Sequence, residues 1–145
     1  MMNGKGATFM IPRSVFFVLW FMLLSTCTAL GPRSTVVVTN KLEGGPDLFL
    51  HCRSADDDLG VQDLRPDASF SFSFRTKYFA TTLFHCSFQW ETVTQKFDIY
   101  DANRDPDVCM TCRWIVKENG PCLILPGNKS NCYPWNSDKK ELEKP

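Results

Sequence analysis

The chain has 145 residues, room for one domain but short of two. Its 16 Lys and Arg balance 16 Asp and Glu, which removes the net basic surface that drives phosphate binding and argues against a nucleic-acid partner. Twelve Phe, four Trp and three Tyr can build a core, and seven Cys point to an oxidising compartment where disulfides persist.

Lys5 and Arg13 give a positively charged start, with no acidic residue before Glu43. Residues 15–24 are unbrokenly apolar, and small residues follow at 25–29. A membrane span needs about 20 apolar residues, so 1–29 reads as a secretory signal peptide cut after Ala29, with Cys27 and Ala29 as the small residues before the cut. The protein is then expected to be secreted and extracellular, with no membrane insertion after cleavage. Sixteen basic residues less Lys5 and Arg13 leave 14 against 16 acidic ones, a formal charge of −2. The cut also removes Cys27, leaving an even six: Cys52, Cys86, Cys109, Cys112, Cys122 and Cys132.

Period-2 patterns dominate the rest of the chain. Thr35-Val36-Val37-Val38-Thr39 predicts a first strand and Leu48-Phe49-Leu50-His51-Cys52-Arg53 a second, followed by a polar loop at Asp56-Asp57-Asp58-Leu59-Gly60. Phe70, Phe72 and Phe74 alternate with Ser69, Ser71 and Ser73, the cleanest strand signal present. Further strands are predicted around Phe84–Trp90, up to Tyr100, and from Cys112 to Val116; Asn119-Gly120 then marks a hairpin turn before a last strand at 121–125. This spacing predicts an all-β, disulfide-stabilised domain over 30–126: a small antiparallel β-sandwich of about seven to eight strands. Residues 127–145 read as a polar, mobile tail tethered by Cys132; nothing in the pattern accounts for Trp135.

Several segments fall in the order found in one family: Val38-Thr39-Asn40-Lys41-Leu42, His51-Cys52-Arg53-Ser54 running into Asp56-Asp57-Asp58-Leu59-Gly60, Phe70-Ser71-Phe72-Ser73-Phe74, Thr81-Thr82-Leu83-Phe84-His85-Cys86, Phe97-Asp98-Ile99-Tyr100-Asp101, Cys109-Met110-Thr111-Cys112-Arg113-Trp114 and Gly120-Pro121-Cys122. Over about residues 36–125 the chain resembles the plant self-incompatibility S-protein family and its S-protein homologues. That resemblance implies a secreted, disulfide-held β-sandwich without known enzymatic activity. It also implies recognition of a partner, since founding members are female-tissue ligands that bind a pollen membrane receptor and trigger rejection of self pollen.

Each candidate site has a plainer structural reading beside it. Cys109-x-x-Cys112 has the spacing of a redox pair or half a zinc site, but it leads into a strand and not a helix, and secretion oxidises the thiolates that zinc needs. Structural disulfides are the better reading. Cys86-x-Phe88-x-Trp90 and Cys112-x-Trp114 share an inward pattern, which makes a bridge between those strands plausible, although the sequence does not choose among pairings. Asp56, Asp57 and Asp58 are adjacent, where calcium usually takes ligands at alternate loop positions; a turn with a solvated acidic patch is simpler. His51 and His85 face opposite to their neighbouring cysteines. The Phe ladder, Trp90, Trp114 and Tyr100 suit a core better than a sugar platform. No catalytic group, metal or cofactor is expected.

Charged loops are where a sandwich meets a partner. The candidate contact residues are Asp56, Asp57 and Asp58; Arg75, Thr76, Lys77 and Tyr78; and Asn103, Arg104, Asp105 and Asp107. Asn128-Lys129-Ser130 is the one N-x-[ST] sequon, a candidate glycosylation site at Asn128. The expected function is a diffusible ligand for a cell-surface receptor or other extracellular protein. The alternative is a secreted defence or carbohydrate-binding protein.

Overall fold

The computed structural model describes residues 10–24, 30–77, 82–105 and 109–136. Among the described residues helix α1 (Arg13–Leu24) stands first, and nine strands follow. Strands β4 (Ser69–Lys77), β1 (Leu30–Asn40), β7 (Thr111–Lys117), β8 (Gly120–Leu125) and β9 (Lys129–Cys132) form one sheet in that order. Strands β3 (Asp58–Leu64), β2 (Leu48–Arg53), β5 (Leu83–Trp90) and β6 (Val93–Asp101) form the other. All pairings are antiparallel except β1 with β7, which run parallel with Val36 opposite Cys112 and Val38 opposite Trp114. The expectation of purely antiparallel sheets is corrected on that point: β1 and β7 lie far apart in sequence, so a long crossover is free to bring them together in either sense.

Alternation decides which side chains meet between the sheets. Val36 and Val38 of β1, Leu48, Leu50 and Cys52 of β2, Phe84, Cys86 and Phe88 of β5, and Cys112, Trp114 and Val116 of β7 are all buried. Phe70, Phe72 and Phe74 also point inward but stay only half-buried, because β4 is an edge strand. Their rings form a continuous row, with Phe72 and Phe74 at 4.9 and 4.6 Å from Phe84, and Phe74 edge-on to Tyr100 at 4.6 Å.

Two strands were not expected. Strand β3 begins inside the run read as a loop, and Gly60 takes a left-handed φ of 69° there, beside an irregularity in the β2–β3 register. Strand β9 lies in the segment read as a mobile tail. It pairs with β8, with Cys132 opposite Cys122, and Trp135 beyond it is 1% exposed. That indole packs on Phe88 and Trp90 at 5.1 and 5.8 Å and donates from Nε1 to the Glu118 carbonyl at 2.7 Å. The sandwich therefore extends through residue 136, and the boundary drawn at 126 is too early. The chain can turn back here because Gly120 has φ 134°, and a β-carbon at that position would lie 1.9 Å from the Tyr133 carbonyl oxygen.

The described cysteines pair as Cys52–Cys86, Cys109–Cys112 and Cys122–Cys132. The first joins directly opposed residues of β2 and β5, and the third those of β8 and β9. A Cys86–Cys112 bridge does not form. Both side chains point inward as expected, but they belong to different sheets, and each finds a nearer partner within its own layer or connection.

The two ends of the sandwich differ. At the end holding the β1–β2 and β7–β8 turns, buried Asn40 donates from Nδ2 to the carbonyls of Pro46 and Leu64, each at 2.9 Å, and accepts from the Leu42 amide at 3.1 Å. Glu118 accepts the Glu43 amide across the same end. At the opposite end lie the β2–β3 and β8–β9 turns, the last residues of β4 and β6, and the first residues of β5 and β7.

Candidate functional site

At that second end the sheets open into a concavity of ≈ 760 Å³. Ser54, Asp56 and Asp57 of the β2–β3 turn form one wall, Ser73 and Arg75 of β4 another, and Thr82 and His85 at the start of β5 close the rim. Phe74, Leu83 and Phe84 line the floor. Strand geometry produces the mixture: β4 brings Ser73, Phe74 and Arg75 to the opening and β5 brings Leu83, Phe84 and His85, successive side chains pointing to opposite faces of each sheet.

The Ser54 hydroxyl organises the acidic turn, accepting from the amides of Asp56 and Asp57 at 3.3 and 3.0 Å, while the Ser54 amide donates to the Asp57 carbonyl at 2.8 Å. Asp58 is turned away from the concavity. Its Oδ1 meets His51 Nε2 at 2.6 Å and the Gly60 amide at 2.9 Å, and its Oδ2 meets Arg53 Nε at 3.0 Å. The hydrogen bond from His51 first, then that from Gly60 and the nearby Arg53 charge, lower the Asp58 carboxyl from 3.8 to about 2. The three aspartates thus divide: Asp56 and Asp57 face the opening, and Asp58 locks β3 to β2. Among the described residues they are not gathered with other ligands into a metal-type cluster.

The second group is corrected in kind. Arg75, Thr76 and Lys77 lie on β4 and not in a loop. Arg75 reaches the concavity, whereas Thr76 donates from its hydroxyl to the Pro32 carbonyl at 3.3 Å. Tyr78 lies outside the described residues, as does Asp107 of the third group.

In that third group only Asn103 is exposed. Asp105 is 0% exposed, accepting the Asp101 amide at 2.8 Å and holding the Arg104 guanidinium through Nε and Nη2. Arg104 also donates to the Asp98 carbonyl at 2.8 Å and lies over the rings of Phe97, Trp114 and Tyr133 at 5.1–5.3 Å. Burial opposes its charge, but the Asp105 hydrogen bond and charge outweigh burial and raise its pKa. These two residues, expected to be surface contacts, are interior fastenings of the β6–β7 connection, because a paired, hydrogen-bonded charge can be buried where a lone one cannot.

Sequence reasoning missed Ser73, Thr82 and His85 as lining groups. Ser73 and His85 sit on strands and Thr82 just ahead of β5, and only the opening between the sheets gives them a common target. A second, smaller concavity of ≈ 400 Å³ lies on the outer face of β2, β5 and β6, among His51, Arg53, His85, Lys96 and Asp98. Asn128 occupies the exposed β8–β9 turn with φ 57°.

The model of the family described as plant self-incompatibility protein S1 matches residues 35–135, from the first core strand to the buried Trp135. The chain belongs to this family. Among its relatives in Arabidopsis thaliana, S-protein homolog 5 is 45% identical over 103 residues, covering 71% of this chain and 79% of the relative. S-protein homolog 3 is 44% identical over 109 residues, covering 71% and 73%. S-protein homolog 29 is 36% identical over 126 residues, covering 84% and 93%. A solved structure of SPH (Self-Incompatibility Protein Homologue) proteins, described as a widespread family of small, highly stable, secreted proteins from plants, superposes with a TM-score of 0.54. It covers 72% of this chain and 96% of that chain at 18% identity, which is a likeness of fold. The S-protein family is one of secreted, extracellular plant proteins, and the matched span ends at the buried Trp135, the residue for which strand pattern alone had no place.

Proposed function

We propose that this S-protein homologue is a diffusible extracellular ligand that meets a plant cell-surface receptor through the open end of its sandwich, in self-incompatibility or related reproductive signalling. One observation carries the reading: the β2–β3 turn, the end of β4 and the start of β5 line a concavity with Asp56 and Asp57 on one wall and Arg75 on another. Clustered loops on a rigid sandwich give a surface that can vary while the layers beneath it do not. Release as a soluble ligand accords with cleavage after Ala29. Helix α1 leaves Phe16 and Phe17 60% and 66% exposed, an arrangement suited to a signal peptide handed to the secretion machinery and then removed. Asn128, in the exposed β8–β9 turn at the same end but four strands across the sheet from β4, is the proposed glycan acceptor. We read the protein as a ligand and not a catalyst: the described cysteines are all held in disulfides, so His51 and His85 have no neighbouring thiolate to activate.

The test is binding of the labelled secreted product to intact plant cells, before and after protease treatment of the cells. Binding should be saturable and protease-sensitive, and the D56N/D57N/R75Q variant should associate more slowly while remaining folded. Binding unaffected by these changes but lost on altering the Glu43–Glu118 end would overturn the assignment.

A further inference from the structure

The balanced net charge conceals a segregation between the two sheets. The five strands β4, β1, β7, β8 and β9 contain no Asp or Glu at all, but carry Arg33, Arg75, Lys77, Arg113, Lys117 and Lys129. The four strands of the other sheet carry Asp58, Asp63, Asp98 and Asp101 against Arg53 and Lys96. On the outer face of the basic sheet Arg33 stands directly opposite Arg75 in the β1–β4 register, and Arg113 projects from the neighbouring β7, opposite Val37. All three are exposed, and none forms an ion pair with a described residue. Like charges directly opposed across an antiparallel pair are destabilising, and an anion lying between them would relieve that repulsion.

Between the arginines the face is paved with hydroxyls. Thr35 sits between Ser73 and Thr111 in one cross-strand row, and Ser71 lies in the next. Thr35 and Ser73 bond to each other at 2.8 Å, which leaves the pair with lone pairs and one hydroxyl proton for an outside partner. The spacing is that of the sheet, ~4.8 Å across strands and ~6.7 Å between outward residues along one.

We infer that this face binds a carboxylate-bearing polysaccharide, with Arg33, Arg75 and Arg113 taking carboxylates and the serine and threonine rows taking sugar hydroxyls. A membrane-binding face would present exposed bulky apolar side chains, and a single-strand nucleic-acid platform would present aromatics for stacking. The outward apolar residues here, Val37, Ile115 and Ile124, are half-buried, and none of them is aromatic. The site shares Ser73 and Arg75 with the rim of the open end, but Arg33, Thr35, Thr111 and Arg113 lie outside that rim, and the inference does not rest on the receptor assignment.

The experiment is isothermal titration of the secreted product with polygalacturonate, with neutral dextran and phosphatidylserine vesicles as comparators. Polygalacturonate should bind, and should be released as salt shortens the Debye length from ~10 Å to ~3 Å. The triple variant R33Q/R75Q/R113Q should lose about tenfold or more in affinity, while D63N/D98N on the opposite face should lose none. In the free protein at low salt, R33Q should melt no lower than the parent, since it removes a repulsion. Absence of polygalacturonate binding, an unchanged triple variant, equal binding to dextran or to the vesicles, or a destabilised R33Q would each overturn the inference.

Discussion

Arg104 closes on Asp105, its own neighbour in the chain, through two contacts of 2.7 Å, Nε to Oδ1 and Nη2 to Oδ2. A bidentate pair between consecutive residues pins the β6–β7 connection from inside, with Asp105 wholly buried and Arg104 stacked among three rings. Replacing Asp105 with Ala strands the guanidinium and frees the Asp101 amide. The expected loss is about 3–5 kcal/mol, measured by denaturant unfolding of the oxidised protein. R104M/D105N should recover part of that loss; a D105A protein as stable as its parent would mean that the pair is dispensable.

Asp58 sets an acid-side expectation. Its carboxyl is held at about 2 in the folded protein against an ordinary 3.8, so its favourable contribution is complete above pH 3.8. That contribution fades as pH falls through about 2, because the unfolded chain takes up the proton first. An NMR titration of the Asp58 carboxyl should show the low midpoint, and D58N should flatten this part of the acid-unfolding profile. A midpoint at the ordinary carboxylate value would show that the His51 contact does not persist in solution.

Trp135 should behave as a core residue despite its place near the C-terminus. Trp135→Ala removes the packing on Phe88 and Trp90 and the bond to Glu118, and should destabilise by about 3–5 kcal/mol. On the edge strand, Phe72→Ala should fall somewhat below that range because Phe72 is half-buried, and Ser71→Ala should stay under about 0.5 kcal/mol. Thermal melts of the three variants rank them; Trp135→Ala grouping with Ser71→Ala would return the segment to a loose tail.

The three disulfides should contribute unequally. Cys52–Cys86 spans 34 residues of sequence and Cys109–Cys112 only 3. Chain-entropy arguments then give about 4 kcal/mol for the first and about 2 for the second. Paired Cys→Ala variants compared by calorimetry should follow that order. Thiol titration of the unreduced secreted protein should find almost none free, and two reactive thiols at Cys109 and Cys112 would contradict the pairing.

Much of the sandwich was legible from alternation. Ser69 to Phe74 and Leu83 to Trp90 each place small or polar residues outward and aromatics inward, and a one-residue slip would invert the whole face. Strand β3 was illegible because its residues are mostly exposed on both sides, so no alternation survives, and Gly60 mimics a turn. Strand β9 failed for the same reason: Lys129-Ser130-Asn131-Cys132 is exposed throughout, and its pairing is enforced by Cys132 and by Trp135 beyond it. In the candidate site Asp56 and Asp57 could be named in advance because charge in a turn is visible locally. Arg104 and Asp105 looked equally exposed by composition. Their burial depends on Trp114 of β7 and on Tyr133 just beyond β9, which no local window contains.

Gly120 has a bearing on how the family can diversify. Its missing side chain is occupied by the Tyr133 carbonyl, so a mutation to any other residue there would expel the segment that carries Trp135 and open the core from behind. The clasp sits at the opposite pole from the acidic turn and Arg75. Substitutions at Asp56, Asp57 or Arg75 do not touch it, so the surface at one pole can be rebuilt while the other pole has room for nothing larger than a hydrogen atom.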